Sequence, residues 1–489
     1  MNKNTTSLKQ KAFSGILWKF VEQASNGFVG FIISIVLARL LTPSDYGLIG
    51  MLAIFLALSS VIIDSGFGMA LIQKKNRTEV DLNTVFLFNI FISTVCYIIL
   101  FFCAPFIAAF YKTPLLINLL RVLGLNLIIN SFNSIQRTQL AIKIDFKTTT
   151  EVSFSGSVIG GIIGIVMAYT GFGVWALVAQ SITRTIFSTI VLWFSSKWRP
   201  LFIFSFTSLK ELFKYGSKLL FAGIYAITLD NLYYIVIGKM YEAKELGIYT
   251  RAKQLPEYIS STLNSVINSV TFPLLCSING DKERMISVYS KMLSMTAFVI
   301  FPVMTLLSIL SHSFVSVVLT EKWIAVVPLM QWLGFTRMMT PISALNLNIL
   351  KASGRSDLFL WTDLSKLPLI VLNMIITIPL GIKYVAIGSS IVTFICYFIN
   401  AYFPGKIFGY GAGKQIKDCF KIIIAILVMA VTTIPLLYLI ENQFLMLTIG
   451  GLLGITSYLL TSYVLKISEL TELKLAVMQV VLKKNKNIE

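Results

Sequence analysis

Side chains that catalyse reactions or bind metals are scarce in this sequence. Histidine occurs once, at His312, and the five cysteines show no CxxC or Cys/His spacing. The segment SILSHSFVSVV around His312 contains no metal-binding motif, and a cysteine within an apolar run behaves as a small hydrophobic residue. We therefore expect no catalytic residue, no metal site and no cofactor, and we interpret His312 as a packed or interfacial side chain.

The sequence also lacks the phosphate-binding motif of ATP-driven pumps. Residues 409–414 read GYGAGK, but Gln415 follows the lysine and the first glycine of the motif is missing. No loop between the apolar runs reaches the roughly 50 residues that an independent soluble domain needs. These absences argue against ATP hydrolysis and a soluble catalytic domain, and they favour an ion gradient or the substrate's own gradient as the energy source.

Charged residues make up only 13% of the chain, whereas 56% is hydrophobic and the mean hydropathy is +0.81. Apolar runs recur with lengths of about 18 residues or more, which is enough to cross the hydrocarbon core of a membrane. The sequence therefore predicts an all-α integral membrane protein. We predict about 14 transmembrane helices, at 13–40, 46–72, 82–110, 115–140, 150–170, 173–194, 212–238, 251–276, 286–311, 325–350, 358–380, 383–403, 416–440 and 443–465.

The net charge of +19 follows the predicted loops, so its distribution indicates membrane topology and argues against a nucleic-acid partner. Lys and Arg are concentrated in the loops on one side. The loops on the other side carry only Arg39, Lys112, Lys239, Lys244, Arg251, Lys322 and Lys383. The positive-inside rule then places both termini in the cytoplasm, which requires an even number of helices. We predict a multi-pass membrane protein with both termini in the cytoplasm.

One stretch of the sequence occurs twice. IVLARLLTPSDYGLIG at 35–50 returns as IVIGKMYEAKELGIYT at 235–250, and in both copies an apolar run ends in a cation, crosses a polar turn and restarts after a glycine. Long-period repeats in membrane proteins are typical of transporters built from two related halves. We predict two parallel six-helix lobes at 1–194 and 215–410, a cytoplasmic linker at 195–214, and two accessory helices with a cytoplasmic tail at 411–489.

Two features of this topology allow two interpretations each. The charged residues of the repeated turns, Arg39 and Asp45 with Lys239 and Glu245, are predicted at the outer face. They form either matched rims that open and close together or ordinary solvated turns. The amphipathic tail from 468 to 482 either lies along the inner membrane surface or is a solvated, partly helical segment.

Ionisable residues also occur within or at the ends of the predicted spans. The cations are Lys19, Arg121, Arg137, Arg184, Lys218, Lys253, Lys291, Arg337 and Lys366, and the acids are Glu22, Asp64, Asp230, Glu257 and Asp363. A charge at the bilayer centre costs about 2.5–3.5 kcal/mol or more, so each should face a wet cavity or a partner, or snorkel to the surface. Snorkelling is the better explanation for lysines near span ends. For Arg121 and Arg137 both explanations stay open, whereas Arg184 and Arg337 favour a cavity.

The surplus of interior cations favours an anionic substrate, because arginine binds phosphate oxygens by paired hydrogen bonds. The opening LWKFVEQASNGFVGFIISIVLARLLTPSDYGLIGM at 17–51, with DSGFGMALIQ from Asp64, resembles the polysaccharide-exporting branch of the multidrug/oligosaccharidyl-lipid/polysaccharide flippase superfamily. Within that branch, the chain is most similar to Wzx-type exporters of O-antigen, colanic acid and teichuronic acid. The LAR-L-P-DYG core at 37–47 is the most specific part, and the resemblance covers nearly the whole chain.

The resemblance implies a flippase for an undecaprenyl-pyrophosphate-linked oligosaccharide. Such a protein moves the repeat unit from the cytoplasmic to the outer leaflet by alternating access, for O-antigen, lipopolysaccharide or exopolysaccharide biosynthesis. It acts in the lipid of the bacterial inner membrane beside glycosyltransferases and a polysaccharide polymerase, and it is coupled to protons or sodium. Carried onto this chain, the resemblance makes Arg121, Arg137, Arg184 and Arg337 candidate anion contacts. It makes Glu22, Asp64 and Asp230 candidate ion-coupling carboxylates.

Two alternative functions stay open at this point. A multidrug antiporter of the same superfamily should have an acid-dominated cavity, and the surplus of interior cations argues against it. An integral-membrane polysaccharide polymerase or ligase usually carries its active site on a large outer loop, and the sequence has no such loop. We therefore expect a transporter rather than an enzyme.

Overall fold

A computed structural model of the chain describes residues 27–74, 76–143, 145–278 and 280–475. Within these ranges the chain is helical and contains no strand. The first predicted span is thus described only from Gly27, and Glu22 lies outside the described residues. The helices are α1 Gly27–Leu40, α2 Pro43–Asp64, α3 Phe67–Gln73, α4 Glu79–Phe110, α5 Leu116–Ser131, α6 Ser134–Lys143, α7 Phe146–Tyr169, α8 Trp175–Ser195, α9 Phe206–Met240, α10 Ala243–Ser277, α11 Lys282–Ile309, α12 Ser311–Val318, α13 Val327–Ala352, α14 Ser356–Leu364, α15 Leu367–Thr377, α16 Ile382–Phe408, α17 Ala412–Asp418, α18 Phe420–Thr433, α19 Leu436–Leu439 and α20 Gln443–Val464.

Ten helical stretches of the described chain are long and apolar enough to cross a membrane, or eleven if α5 and α6, which meet at 45°, count as one bent span. This confirms an all-α integral membrane fold. The helices α10 and α13 are long but more polar, and they are not among the ten. The count of 14 spans and the arrangement in two six-helix repeats therefore stay predictions.

The repeated turn adopts the local structure that its sequence predicts in both copies. Two residues separate α1 from α2, and two separate α9 from α10. In the first copy Thr42 caps α2, because its hydroxyl oxygen accepts the Asp45 N–H at 3.4 Å, and its own backbone N–H donates to the Asp45 carboxylate at 2.8 Å. Pro43 occupies the first turn of α2, where a missing N–H removes no helical hydrogen bond.

The chain divides into two compact units between Thr250 and Arg251. The core of the first unit includes a buried cluster in which Phe67 and Leu71 of α3 pack with Phe86 of α4 and Trp198 of the segment after α8. The core of the second unit consists mainly of side chains from α11, α13 and α18. The predicted lobe boundaries at 194, 214 and 410 follow the sequence repeat rather than compactness, and they stay predictions.

The glycines of the fifth predicted span lie where two helices approach closely, as a cluster of small residues predicts. On α7, a Cβ at Gly156 would overlap the Ser188 hydroxyl of α8, and one at Gly160 would lie 2.7 Å from the Gln180 carbonyl oxygen. A Cβ at Gly161 would instead overlap Ile33 of α1. The small residues of α7 thus allow close packing against both α8 and α1.

The beginning of the tail packs against the second unit. Residues 468–475 are helical, and the residues after 475 lie outside the described chain. Ile467 and Leu470 are buried in the core of the unit, and Glu472 forms a 2.7 Å ion pair with Lys291 of α11. This part of the tail is thus docked on protein by an apolar face and a charge.

Candidate functional site

Asp64 and Arg137 line one cavity in the first unit. The cavity has a volume of about 270 Å³, and its other lining residues are Ser60, Ile63, Leu127, Asn130, Ser131, Ser134 and Thr138. A carboxylate, a guanidinium, hydroxyls and an amide thus share one space, which suits a small anion or an ion. The volume is close to the lower end of the roughly 300–1,000 Å³ that small-molecule sites occupy, so it fits a charged head group rather than a whole oligosaccharide.

Two helix breaks meet at this cavity. The helix α2 ends at Asp64, and Ser65 and Gly66 then take left-handed conformations, with φ of 43° and 71°, before α3 begins. The helix α5 ends at Ser131, and the chain bends by 45° into α6, which carries Arg137. Irregular backbone at membrane depth is tolerated where it lines a cavity, and transporters build substrate and ion sites at such discontinuous helices.

The two charged side chains of this cavity, Asp64 and Arg137, lie on different helices. Asp64 is the last residue of α2, and its side chain is exposed to the cavity side of the break. Arg137 is exposed and lies on a helix that starts with a backbone hydrogen bond from the Arg137 N–H to the Asn133 carbonyl, at 3.0 Å. Both charged residues are therefore exposed on the wall of the cavity.

Arg121 of α5 packs on an aromatic ring. Its guanidinium carbon lies 4.1 Å from the centre of the Phe101 ring of α4, and its Nε lies 3.4 Å from the Phe101 carbonyl oxygen. The side chain is half-buried. A guanidinium over an aromatic face is stabilised by the ring quadrupole, so the structure gives Arg121 a packing role between α4 and α5 that the sequence did not predict.

Arg184 of α8 and Asp230 of α9 are both exposed. The backbone of Arg184 forms part of the tight contact between α7 and α8, since a Cβ at Gly156 would lie 2.8 Å from the Arg184 carbonyl oxygen. Its side chain is exposed. Asp230 is exposed on α9, and the neighbouring Asn231 amide donates to the Ile227 carbonyl at 2.9 Å. Neither side chain lines the cavity shared by Asp64 and Arg137.

In the second unit, Arg337 of α13 forms an ion pair with Glu257 of α10. The Arg337 side chain is 18% exposed and that of Glu257 is 41% exposed. The Arg337 carbonyl also accepts a hydrogen bond from the Ser260 hydroxyl, at 2.9 Å. Both interactions join α10 to α13. Arg337 was predicted to contact an anionic substrate, but in this structure its charge is compensated by the Glu257 carboxylate.

Arg251 is a buried cation that the sequence did not predict to be buried. Arg251 is counted among the loop cations of the outer side, yet it lies within α10 and is only 2% exposed. Its guanidinium carbon lies 5.8 Å from the Trp323 ring centre, and its Nη1 lies 3.4 Å from the Gln254 side-chain oxygen. The continuous helix from Ala243 could have been inferred from the absence of a proline or a second glycine between 248 and 255.

His312, the one histidine, is exposed and lies with its Nδ1 3.3 Å from the Gln443 side-chain oxygen. This position agrees with an interfacial side chain. Among the described residues, we find no group of three or more His, Cys, Asp or Glu side chains with the geometry of a metal site. The charged residues that remain of interest for function are thus those of the Asp64–Arg137 cavity and the Arg337–Glu257 pair.

Residues 36–328, more than half of the chain, match the model of a family described as polysaccharide biosynthesis protein. This chain belongs to that family. It is 26% identical over 381 residues to the teichuronic acid biosynthesis protein TuaB of Bacillus subtilis, covering 77% of this chain and 78% of TuaB. It is 24% identical to the lipopolysaccharide biosynthesis protein WzxC of Escherichia coli, covering 72% of each chain.

The fold of this family member is similar to that of the lipid II flippase MurJ in an inward closed conformation. The TM-score is 0.71, with 15% identity, and the match covers 93% of this chain and 98% of MurJ. Together with the family match, this similarity confirms the predicted membership of the polysaccharide-exporting branch of the flippase superfamily. The protein is a multi-pass membrane protein of polysaccharide biosynthesis.

Proposed function

We propose that this protein is a flippase for a polyprenyl-pyrophosphate-linked oligosaccharide repeat unit. It moves the unit from the cytoplasmic to the outer leaflet by alternating access, during the biosynthesis of a cell-surface polysaccharide. Its relatives are named for teichuronic acid and lipopolysaccharide biosynthesis, and the fold is similar to that of a lipid II flippase. The structural observation that supports the proposal most directly is the cavity that contains Arg137 and Asp64 at two broken helices.

In this proposal Arg137 binds the pyrophosphate. A guanidinium donates two parallel hydrogen bonds to phosphate oxygens, and such charge-assisted bonds are the strong ones in a protein. The side chains of Ser60, Ser134, Thr138 and Asn130 around it offer further donors. The cavity volume leaves the sugars and the lipid chain outside, so Arg137 recognises the phosphate group shared by all such substrates.

Asp64 supplies the coupling to an ion gradient. An ionised carboxylate in the same small cavity repels the phosphate, because two like charges in a site of low dielectric constant destabilise each other. A proton or a sodium ion on Asp64 removes that repulsion. The ion and the anionic substrate therefore favour each other's binding, so the occupancy of Asp64 by the ion sets the affinity of the cavity for the substrate. Removal of the substrate at the outer leaflet gives the outward direction of net movement.

The other candidates keep narrower roles in the proposal. Arg184 and Asp230 are exposed on α8 and α9, and they would act when the cavity opens around a substrate. Arg337 becomes an anion contact only when Glu257 releases it. Arg121 serves mainly to pack α5 on Phe101.

The decisive test is reconstitution of the purified protein in vesicles with a lipid-linked oligosaccharide on one leaflet. We expect the native protein to move the lipid to the other leaflet and Arg137→Gln to lose about tenfold or more of the rate, since a hydrogen bond to a charged group contributes about 1.5–3 kcal/mol. The matched control is Arg355→Gln, because Arg355 pairs with Asp357 at an exposed position outside the predicted spans.

Four outcomes would contradict the proposal. Vesicles with the folded native protein could fail to move the lipid between leaflets. Alternatively, Arg137→Gln could lose no more of the transfer rate than Arg355→Gln. Strong resistance to cationic drugs in cells that express the chain, with no change in glycan export, would favour the antiporter. Extension of a glycan chain by the purified protein would favour a polymerase.

A further inference from the structure

The end of the segment between α8 and α9 and the first residue of α9 expose five large apolar side chains within six residues. Residues 197–205 are not helical, and the sequence from 201 to 206 is LFIFSF. Phe202 is 91% exposed and Phe206 is 72% exposed. Leu201, Ile203 and Phe204 are also exposed. Soluble proteins rarely expose a contiguous apolar patch of this size, and such a patch usually marks a surface that binds a protein or a membrane.

The backbone of this segment is fixed to the first unit by buried polar side chains of α4. The Leu201 N–H donates to the Asn83 side-chain oxygen at 2.5 Å, and the Ser205 N–H donates to the Thr84 hydroxyl at 3.0 Å. Asn83 and Thr84 are fully buried. The apolar side chains therefore project from a backbone whose position is set by the fold.

Two further contacts hold both ends of the segment. The Trp198 indole N–H donates to the Glu79 carboxylate at 2.9 Å, and the Ser208 hydroxyl donates to the buried Asp81 carboxylate. These residues flank the exposed apolar run on either side. The run thus lies close to the first turn of α4, where that membrane span begins, and not in the middle of a span.

Non-helical backbone is excluded from the lipid-exposed hydrocarbon core, because its N–H and C=O groups have no partners there. The headgroup–acyl boundary tolerates it, and aromatic side chains favour that depth. The segment lies at the end of a span with its apolar side chains outward, which is the arrangement of an interfacial membrane anchor.

The charges around the segment complement an anionic lipid surface. Lys197, Arg199, Lys210 and Lys214 are all exposed, and the single acid of the linker, Glu211, forms a 2.9 Å ion pair with Lys74. Each exposed cation near a negative membrane surface contributes attraction to it. The cations flank the apolar run on both sides, as in membrane-bound segments that combine the two signals.

We propose that residues 201–206 form an interfacial anchor that binds an anionic phospholipid surface. The five apolar side chains enter the headgroup–acyl boundary, and the four flanking cations contact lipid phosphates. The anchor holds the linker between the two predicted lobes against the predicted inner leaflet. It is independent of what the protein transports, so its failure and the failure of the flippase proposal are separate results.

The test places a nitroxide amino acid at position 202 of the full-length chain, with its native cysteines retained, in lipid nanodiscs that contain anionic phospholipid. Electron paramagnetic resonance then compares the accessibility of the label to oxygen, which partitions into lipid, and to a water-soluble nickel chelate. Matched labels at Phe102, an exposed residue of α4, and at Glu283, an exposed residue in the first turn of α11, give the lipid and water references.

We expect the ratio of oxygen to nickel accessibility at position 202 to lie several-fold above that at 283 and below that at 102. A ratio equal to that at 283 would show a solvated linker and overturn the anchor. Dipolar broadening at 202 that disappears on dilution with unlabelled protein would show that a second copy covers the segment, and would also overturn it.

The charge contribution is tested with Lys210→Gln/Lys214→Gln. In the native chain, replacing anionic by neutral lipid should lower the ratio at position 202 by about twofold, whereas the double variant should respond much less. Equal ratios for the native chain in both lipids would overturn the anionic preference. Since both lysines are exposed, the double variant should elute and melt like the native protein, which confirms that the comparison concerns the surface alone.

Discussion

Gly47 and Gly247 occupy equivalent positions of the sequence repeat, and each packs against the backbone of the other's turn. A Cβ on Gly47 would overlap the Ala243 carbonyl oxygen, and a Cβ on Gly247 would overlap the Pro43 carbonyl oxygen. The contact is thus reciprocal, as in an interface with two-fold symmetry. It explains why glycine is one of the few residues that both copies share, since backbone atoms meet here and leave no room for a side chain.

We predict that Gly47→Ala and Gly247→Ala each lower both thermal stability and transport. Relief of the overlap requires the two turns to separate, because a carbonyl oxygen cannot move as a side chain does. Overpacking of this kind costs about 1–3 kcal/mol. The measurements are the melting temperature of the purified protein in detergent and the rate of lipid transfer in vesicles. The control is Gly30→Ala, since a Cβ at Gly30 has no atom within 4 Å. Native stability of both turn variants would show that the turns separate freely.

The charges of the repeated turns were predicted to be solvated or to form matched rims. In the structure Lys239 is engaged, since its ammonium donates to the Phe110 carbonyl at 2.6 Å and lies 4.2 Å from the Phe110 ring centre. Asp45 caps α2 through Thr42. These charges thus stabilise the ends of helices in the first unit, and a role in opening and closing stays a prediction.

The sequence predicted local structure well because its determinants are local. The turn at Thr42–Asp45 follows from capping chemistry, and the close packing of the α7 glycines follows from side-chain size. The helix breaks after Asp64 and Ser131 lie inside the predicted spans 46–72 and 115–140, so the sequence did not predict them. The pairing of Arg337 with Glu257 could not be predicted, because 80 residues of intervening chain decide which faces of α10 and α13 meet. The same holds for Arg121 on Phe101 and for the cavity shared by Asp64 and Arg137, which only the bends at α3 and α6 bring together.

The ion pair between Arg337 and Glu257 allows a structural role and a substrate-binding role to be distinguished. If the pair only joins α10 to α13, Glu257→Gln and Arg337→Gln should each destabilise the protein, and the double variant should cost less than the sum of the two. Because Glu257 is partly exposed, we expect a coupling of about 1 kcal/mol. Thermal unfolding of the four proteins measures it.

If Arg337 also binds substrate, the two single variants should differ in transport. Glu257→Gln frees the guanidinium and should keep or increase the rate, whereas Arg337→Gln should lose it at comparable stability. A swapped pair, Arg337→Glu/Glu257→Arg, should recover stability without recovering transport. Recovery of both by the swap would assign the pair a structural role alone.

Lys74 lies between two carboxylates at the base of α4, 3.0 Å from Asp81 and 2.9 Å from Glu211. Burial lowers the pKa of Lys74, but the hydrogen bonds that its ammonium donates to Glu211 and Asp81 raise the pKa by more, so that it lies above its ordinary value. A cation whose pKa is raised on folding stabilises the folded state below its unfolded pKa, and that contribution disappears as the pH rises through the folded pKa.

We therefore predict that Lys74→Met is less stable than the native protein at neutral pH, and that the difference decreases above about pH 10.5, the ordinary pKa of lysine. Lys74→Arg should retain most of the stability, because a guanidinium pairs with carboxylates and stays charged. Melting temperatures of the three proteins from pH 7 to 11 provide the measurement. A difference between native protein and Lys74→Met that grows with pH would contradict this assignment.

Asp64 and Arg137 should respond differently to the loss of charge, because the proposed mechanism gives them opposite effects on an anion in their cavity. Asp64→Asn resembles the carboxyl with its charge neutralised by a proton or sodium ion, so the variant should bind the lipid-linked substrate at least as tightly as the native protein. Its transport rate should no longer respond to an imposed ion gradient. Vesicles with a proton gradient, and separately with a sodium gradient, identify the coupling ion.

Two variants serve as controls for Asp64→Asn. Asp64→Glu should retain the response to the ion gradient, and Asp357→Asn, at an exposed position paired with Arg355, should behave like the native protein. A full response of Asp64→Asn to either gradient would place the coupling carboxylate elsewhere and leave Arg137 as the only functional charge of the cavity.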